Sequence, residues 1–223
     1  MGRSVLLLST ALSGGGAEYV SRIMASNILE CHCVLFKKQK QTLPGGIRVH
    51  YIPRCRFETG IVKIVQNIFR VIYVQLVKII LNPDVTISHL EGPNFTNMLT
   101  WGGGKKVLFV HNSANQNYFE NNVFNRVKKM LIRSLYCRAD QIVGVSIDVC
   151  NELIKDYQIC SDQVLFLPNP IDIANIEYLS SLDFGDWRDD LLKSSYLLNV
   201  GSLTLQKNHE LPLENQHIQR YTF

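Results

Sequence analysis

Short, uninterrupted apolar runs alternate along the chain with longer segments of helical periodicity. An unbroken apolar run is typical of a strand that is buried on both faces of its sheet. The runs predict strands at Ser4–Leu8, Cys33–Phe36, Ile47–Ile52, Asp84–Ser88, Val107–Val110, Gln141–Val145, Val164–Leu167 and Tyr196–Val200. The periodic segments predict helices at Ala17–Leu29, Ile61–Leu81 and Phe124–Cys137, and a further helix that begins at Ser146. This alternation predicts an α/β fold with a doubly wound, mostly parallel sheet.

Three predicted loops follow strands of this sheet and carry glycine or polar residues. They are Ser13–Glu18, His89–Asn94 and His111–Asn115. In open parallel sheets, ligands bind beyond the carboxyl ends of the strands. We therefore expect the three loops to lie at one edge of the sheet and to form the functional site.

The first of these loops contains three consecutive glycines, Gly14, Gly15 and Gly16. Glycines between a strand and a helix let backbone N–H groups approach a phosphate or a sugar at the helix N-terminus. The loop does not match the G-x-G-x-x-G dinucleotide pattern, because Tyr19 occupies the place of its third glycine, and the Walker lysine is missing. A flexible turn that binds nothing is the alternative interpretation.

Ionisable side chains characterise the other two loops. His111 directly follows an apolar strand and can serve as a base, a hydrogen-bond donor or a positioning group. A structural histidine is the alternative. His89 and Glu91 are further candidates on the neighbouring loop, and Asn112 is a candidate for donor or acceptor binding beside His111.

The segment Ile61–Leu81 is long enough to cross a bilayer as a helix, at roughly 30 Å. Lys63, Asn67, Arg70 and Lys78 form a polar stripe along it, and three cations within the segment argue against a spanning helix. An amphipathic helix fits better. It either packs on the sheet with a solvated basic edge or lies on anionic lipid.

The composition adds information on size and on partners. The chain has 223 residues, of which 46% are hydrophobic and 19% charged, which excludes a disordered or low-complexity protein and allows one to one and a half domains. Its charge is uneven: residues 1–80 carry a net +8 and residues 81–223 a net −4. Nucleic acid, an anionic membrane or a phosphate-bearing substrate would suit the basic part. Nucleic acid has no motif to support it, so no nucleic-acid partner is predicted.

Cysteine usage and the N-terminal sequence bear on the compartment and on metals. The apolar run Val5–Leu8 is too short for the core of a secretory signal, which predicts a cytoplasmic protein with reduced thiols at its six cysteines. Cys31-His32-Cys33 lacks the spacing of a zinc site and has no second ligand pair. We therefore expect no metal site and interpret these cysteines as buried side chains of a strand.

The segment Leu197–His209 combines a strand, a glycine turn and Lys207. A lysine in such a loop can neutralise a diphosphate leaving group. An ordinary exposed lysine on a turn is the alternative interpretation.

Three segments together resemble the retaining glycosyltransferases of family four, which have the two-domain GT-B fold. They are Ser13–Glu18, Ala139–Ser146, and Pro168–Asp172 followed by Val200–Asn208. The resemblance implies a Rossmann-like, acceptor-side N-terminal domain at residues 1–175 and a linker at 176–195. The start of a donor-binding domain would follow at 196–223.

The resemblance implies transfer of a sugar from a nucleotide-sugar donor to a glycan or lipid-linked acceptor in cell-surface polysaccharide biosynthesis. His111 would be the active-site histidine that contacts the transferred sugar. The Gly14–Gly16 loop would lie at the donor phosphate and the acceptor side of the cleft, and Lys207 would bind the donor diphosphate. Beside these, Glu91 and Asn112 are our own candidates for donor or acceptor binding. No cofactor is implied, and a peripheral position on the inner membrane face is compatible with the basic first third.

The chain departs from the family pattern after His209. Pro212 interrupts the helix that should follow, and on the family pattern we expect most of the donor-binding domain to be missing. The expectation is a truncated chain that is inactive alone. A non-catalytic module that binds a sugar or a partner, and acts with a separate donor-binding chain, is the alternative.

Overall fold

The computed structural model describes residues 4–38, 47–53, 60–112 and 123–182. The strands are β1 Val5–Ser9, β2 Cys31–Leu35, β3 Arg48–Tyr51, β4 Val85–His89, β5 Lys105–Val110, β6 Gln141–Gly144 and β7 Val164–Phe166. The helices are α1 Gly16–Asn27, α2 Gly60–Leu81, α3 Glu91–Leu99, α4 Val123–Tyr136, α5 Ile147–Lys155 and α6 Ile173–Ser181, and a short 3₁₀ turn at Ser161–Gln163 precedes β7.

The described strands form one sheet in the order β3-β2-β1-β4-β5-β6-β7, and every neighbouring pair is parallel. The chain first builds outward from β1 to β3 and then returns to β4 on the other side of β1. The direction of winding thus reverses between β1 and β4, which is where open α/β sheets bind ligands. The predicted fold class is confirmed. The predicted strand at Tyr196–Val200 lies outside the described residues.

Helices cover both faces of the sheet, and the apolar strands pack against both layers. On β1, Leu6 and Leu8 point to one face and cluster with Val74 and Val77 of α2. Leu7 points to the other face and clusters with Ala25 of α1. Burial on both faces is the reason that β1 has an unbroken apolar sequence.

Helix α3 corrects the prediction of a loop at His89–Asn94. His89 is the last residue of β4, and the helix begins two residues later at Glu91. The connection is a single residue, Leu90, whose φ of 72° lies in the left-handed region. The sequence Gly92-Pro93 is typical of a turn. Proline is nevertheless tolerated in the first turn of a helix, because the backbone N–H groups there have no acceptor within the helix.

Helix α2 packs on the sheet, and Lys63 and Asn67 of its polar stripe are exposed, but Lys78 corrects the prediction of a basic edge that is solvated throughout. The Lys78 side chain is only 2% exposed, and its Nζ donates to Asn97 Oδ1 at 2.8 Å. Burial, together with the nearby Lys106, lowers the pKa of Lys78 to about 7. The polar stripe therefore faces inward at this position. In the part of the chain that the structure describes, Val62–Leu81 is the one stretch whose length and composition would let a helix cross a membrane, with a mean hydropathy of 1.6.

The chain divides into two compact units, Met1–Pro170 and Ile171–Phe223. In the second unit the structure describes residues 171–182, where Asp172 caps α6 by accepting a hydrogen bond from Asn175 N at 3.0 Å. The linker at 176–195 and the further domain at 196–223 stay predictions, because most of these residues lie outside the described ranges.

Candidate functional site

The three predicted loops lie next to one another at the carboxyl edge of the sheet. β1 pairs with β4 and β4 pairs with β5, so the ends of these strands are neighbours. The glycine loop follows β1, Leu90 and α3 follow β4, and His111 follows β5. The site is therefore assembled at the place where the direction of winding reverses.

The glycine loop opens α1 with backbone groups rather than with a side-chain cap. Gly14 has a φ of 116°, a conformation that disfavours residues with a Cβ. The N-cap residue is Gly15, which has no side chain to cap the helix. A Cβ on Gly15 would lie 2.6 Å from Glu18 Oε2. The first N–H groups of a helix have no partner within it, and together with the helix dipole they favour an anion. The loop can thus receive a phosphate or a sugar hydroxyl.

Two buried serines hold the start of this loop. Ser9 Oγ donates to Ala11 O at 2.8 Å and lies 3.1 Å from Ser21 Oγ. Ser21 in turn donates to Ala17 O at 2.9 Å. These bonds connect the end of β1 to the first turns of α1, so the glycine loop is fixed at both ends.

A pair of histidines forms the centre of the site. His89 Nδ1 lies 2.9 Å from His111 Nε2, which is a hydrogen bond, and the two rings are stacked with centroids 5.2 Å apart. His89 is fully buried and His111 is partly buried. The other nitrogen of each ring, His89 Nε2 and His111 Nδ1, is buried without a hydrogen-bond partner among the described residues.

Burial keeps both histidines neutral. It lowers the pKa of His111 to about 4, and burial together with the adjacent His111 lowers the pKa of His89 to about 3. At neutral pH one imidazole donates to the other, and each ring keeps one nitrogen for a further hydrogen bond. His111 is therefore a neutral hydrogen-bonding group rather than a cation.

Phe109 and Asn94 support the histidine pair. The Phe109 ring stacks on His89 with a centroid distance of 4.5 Å, and Asn94 Nδ2 donates to Phe109 O at 3.1 Å. Sequence reasoning did not select either residue. An apolar strand residue two positions before His111 and an asparagine within an unrecognised helix gave no signal of a supporting role.

Glu91 and Asn112 line a small cleft beside the pair. The cleft is also lined by Val110, Ile132, Tyr136, Val149, Glu152, Leu153 and Tyr157. Burial raises the pKa of both tyrosines. The volume of the cleft is about 30 Å³, which is far below the roughly 300–1,000 Å³ of typical ligand pockets. This cleft could admit one polar group of a ligand, but not a whole sugar nucleotide.

Lys207 lies outside the described residues. Among the residues that the structure does describe, no group of three or more His, Cys, Asp and Glu side chains could hold a metal ion. Cys31 and Cys33 are buried in β2, with their sulfurs 3.9 Å apart.

The strand order and the position of this site are those of a Rossmann-like domain. The model of Glycosyltransferase Family 4 matches residues 5–175, and the chain belongs to this family. The resemblance seen in the sequence is thereby confirmed.

Similarity to individual proteins agrees with the family. The chain is 26% identical over 208 residues to the N-acetylgalactosamine-N,N'-diacetylbacillosaminyl-diphospho-undecaprenol 4-alpha-N-acetylgalactosaminyltransferase of Campylobacter jejuni, covering 90% of this chain and 55% of that protein. Solved structures share the fold. They include a glycosyltransferase of Rickettsia africae (TM-score 0.56, 15% identity, 89% of this chain and 51% of that one) and Anabaena HepE with UDP-glucose (TM-score 0.55, 15% identity, 77% and 45%). The chain spans about half the length of these relatives.

Proposed function

We propose that this chain supplies the acceptor-side half of a retaining glycosyltransferase, which transfers a sugar from a nucleotide-sugar to a glycan or lipid-linked acceptor. The observation that carries the proposal is the neutral His89–His111 pair, which lies at the reversal point of a family-four domain with His111 Nδ1 left for a ligand. A protein nitrogen that is buried without a partner costs free energy unless a ligand satisfies it.

In this proposal His111 holds a hydroxyl group of the transferred sugar. Its Nε2 is occupied by His89, so Nδ1 is the atom that meets the sugar. His89 acts through His111 and is a positioning residue. The glycine loop at Gly14–Gly16 holds a phosphate or sugar hydroxyl at the start of α1, and Glu91 and Asn112 contact the substrate at the cleft.

In the reaction, negative charge develops on the departing nucleoside diphosphate, and this charge must be stabilised. A neutral histidine pair does not neutralise it, so the proposal assigns this task to Lys207. Neither a metal ion nor an organic cofactor is part of the proposal. Activity of the whole protein should therefore survive treatment with EDTA.

The substrate classes come from the relatives. The Campylobacter jejuni enzyme is named for a diphospho-undecaprenol acceptor, and HepE is solved with UDP-glucose. We infer a UDP-sugar as donor, a polyprenyl-diphosphate-linked glycan as acceptor and a role in cell-surface polysaccharide biosynthesis. Because such an acceptor resides in a bilayer, the inferred location is the cytoplasmic face of the membrane, as a peripheral protein.

Calorimetry separates this proposal from a non-catalytic module. The chain is titrated with a panel of UDP- and GDP-sugars, and separately with a soluble analogue of a polyprenyl-diphosphate-linked glycan. We expect the analogue to bind, and the nucleotide-sugars to bind weakly or not at all without further protein. Tight nucleotide-sugar binding, or donor hydrolysis by the chain, would contradict the acceptor-side assignment, and binding of neither ligand would refute the proposal.

Transfer by the whole protein tests the role of His111. His111→Ala should lower kcat by about 100-fold or more, within the range for the loss of a group that acts on the transition state. His32→Gln on β2, which lies away from the reversal point, is the matched control and should leave kcat unchanged. Equal rates for His111→Ala and wild type would remove His111 from the mechanism.

A further inference from the structure

A second group of basic side chains lies on β2 and β3, at one end of the described strand order. His32 Nδ1 lies 3.2 Å from His50 Nε2, and Arg48 Nη1 lies 3.3 Å from His32 Nε2. The two imidazole planes are 13° from parallel, with ring centroids 5.5 Å apart. We call these three residues the β2–β3 basic cluster. It is a chain of side chains in which His32 is the central member.

The direction of the hydrogen bonds in this cluster follows from Arg48. A guanidinium can only donate, so His32 Nε2 is the acceptor and carries no proton. The proton of His32 therefore lies on Nδ1 and is donated to His50 Nε2, which leaves the proton of His50 on its Nδ1. Both rings are thus neutral, and the chain of donors runs from Arg48 through His32 to His50.

The cluster combines three basic groups without an acidic partner in the part of the chain that the structure describes. Burial, His50 and Arg48 together lower the pKa of His32. Glu30, on the turn before β2, has an exposed side chain that makes no ion pair with the cluster within the described ranges. The guanidinium of Arg48 is also exposed. A negatively charged ligand would therefore find a positive group that no carboxylate of these residues neutralises.

The cluster lies on the face of the sheet that α2 covers. His32 alternates along β2 with Cys31, which packs on the α1 side, and shares its own face with Val34, which clusters with α2. Helix α2 adds two titratable side chains to this face. They are Tyr73, which packs against the same apolar cluster, and Arg70, whose guanidinium lies over the ring of the residue after β2. Neither is an acid that would compete with an anionic ligand.

This place is separate from the histidine pair of the candidate site. His89 is in register with Phe109, and Phe109 clusters with residues that pack against α1. The basic cluster faces α2 instead, and its strands lie on the other side of β1 from β4. A ligand bound there leaves the loops at the carboxyl edge open, so the inference goes beyond the proposed transfer reaction.

We infer that the β2–β3 basic cluster binds a phosphate group with two negative charges, as found in inorganic phosphate or a sugar monophosphate. The guanidinium of Arg48 turns from His32 to two phosphate oxygens. His32 Nε2 then takes up a proton from solvent and donates it to the phosphate as a second charged hydrogen bond. His50 continues to accept from His32 Nδ1 and holds the charged ring in place.

A phosphate suits the cluster better than a carboxylate or a metal ion. A guanidinium can pair with two oxygens of either anion, but only a dianion matches the second positive charge that protonated His32 supplies. A metal ion needs unprotonated ring nitrogens. In this cluster the unprotonated nitrogen of His32 accepts from Arg48, whose positive charge would repel a metal ion.

Calorimetric titration of the full chain with sulfate tests the site. Sulfate stays a dianion over this range, so a change in its affinity between about pH 7.5 and about pH 6.5 comes from the protein. We expect binding to tighten by up to about tenfold for this one pH unit, because a proton is taken up with the anion. Inorganic phosphate and glucose 6-phosphate are then compared at one pH. Tighter binding of glucose 6-phosphate identifies a sugar monophosphate as the ligand, and equal binding identifies the phosphate group alone.

Three variants assign the binding to the cluster. Arg48→Gln should weaken sulfate binding by at least about tenfold, because it removes a charge-assisted pair of hydrogen bonds. His32→Gln should abolish the pH dependence, since glutamine takes up no proton. Lys37→Gln is the matched control: it removes one exposed positive charge just after β2 and should leave the affinity unchanged. Circular dichroism checks that all three are folded.

Nitrogen NMR of the imidazole rings tests the chain of hydrogen bonds itself. Without a ligand, His32 and His50 should both carry their proton on Nδ1, and added sulfate should place a second proton on Nε2 of His32. A proton on His32 Nε2 in the free protein at about pH 7.5 would contradict the donor role of Arg48 from which the inference starts.

Several results would overturn the inference. They are the absence of sulfate binding to wild type, equal binding by Arg48→Gln and wild type, and equal weakening by Arg48→Gln and Lys37→Gln, which would reduce the effect to net charge. Tight binding of Zn²⁺ that sulfate does not affect would identify a metal site instead and also overturn it. Because none of these measurements needs a sugar donor or His111, they are independent of the proposed transfer reaction.

Discussion

The buried histidine pair should make the stability of this protein fall steeply below neutral pH. The pKa of His111 is lowered to about 4 and that of His89 to about 3, whereas a histidine in the unfolded chain titrates near 6.5. A group whose pKa is lowered by folding binds its proton first in the unfolded state. Its stabilising contribution is complete above about pH 6.5 and is lost as the pH falls towards the folded pKa values.

The size of the effect follows from the two shifts. Between about pH 7 and about pH 5, each unfolded histidine gains nearly a full proton that its folded counterpart does not bind. At about 1.4 kcal/mol for each pH unit below the unfolded pKa, this costs about 2 kcal/mol for each ring and about 4 kcal/mol for the pair. Such a loss is a large part of the roughly 5–15 kcal/mol that stabilises an ordinary domain.

Urea unfolding at the two pH values measures this loss, and His89→Gln assigns it. The variant should lose about 2 kcal/mol less than wild type over the same interval, because burial alone lowers the pKa of His111 and its share persists. His32→Gln is the control. His32 is more exposed, although burial, His50 and Arg48 lower its pKa, so its removal should change the loss much less.

An equal loss of stability in wild type and His89→Gln would refute the interpretation of His89 as a neutral buried ring. Should His89→Gln fail to fold, the wild-type protein still provides a test. The ring proton shifts of the two histidines in NMR spectra should stay those of neutral imidazole down to about pH 5. Titration of either ring near its ordinary pKa would contradict the burial that the structure assigns to it.

Three further changes test the scaffold by chemical denaturation. Gly104→Ala should cost well over 1 kcal/mol or abolish folding, because Gly104 has a φ of 62° and a Cβ there would lie 1.8 Å from Asp84 O. Ser146→Ala should cost about 1 kcal/mol, since it removes the N-cap of α5. Above about pH 7 the free energy of unfolding of the wild type should rise by up to about 1.4 kcal/mol per pH unit. In this range Lys78 keeps its proton in the unfolded chain but has lost it in the folded protein. Lys78→Met should abolish this rise.

The fold could be predicted because its strands carry a local signal. The apolar run on β1 is buried on both faces, with Leu6 and Leu7 in different clusters. Such a strand can therefore be recognised from its own residues, without knowledge of its neighbours in the sheet. Helix α3 gave no such signal. Its first turn contains Gly92 and Pro93, and only tertiary contacts, such as the hydrogen bond from Asn94 to β5, make it a helix.

The orientation of α2 could not be predicted from its periodicity. A helical pattern shows that polar and apolar residues separate, and the usual inference turns the apolar side inward. In this chain Asn97 provides two oxygens for Lys78, and its own amide donates to Thr86 O at 3.3 Å and to Ser88 Oγ at 3.2 Å. That buried polar network holds Lys78 of α2 against α3 and the sheet, and it cannot be recognised from the pattern of single residues along the helix.

The site was predictable in its position but not in its central contact. The rule that ligands bind at the carboxyl edge selected the loops of β1, β4 and β5. The contact between His89 and His111 depends on the register of β4 against β5, which pairs His89 with Phe109. That register places the last residue of one strand beside the first residue after the other. It is set by packing along both strands, so two histidines 22 positions apart gave no sign of meeting.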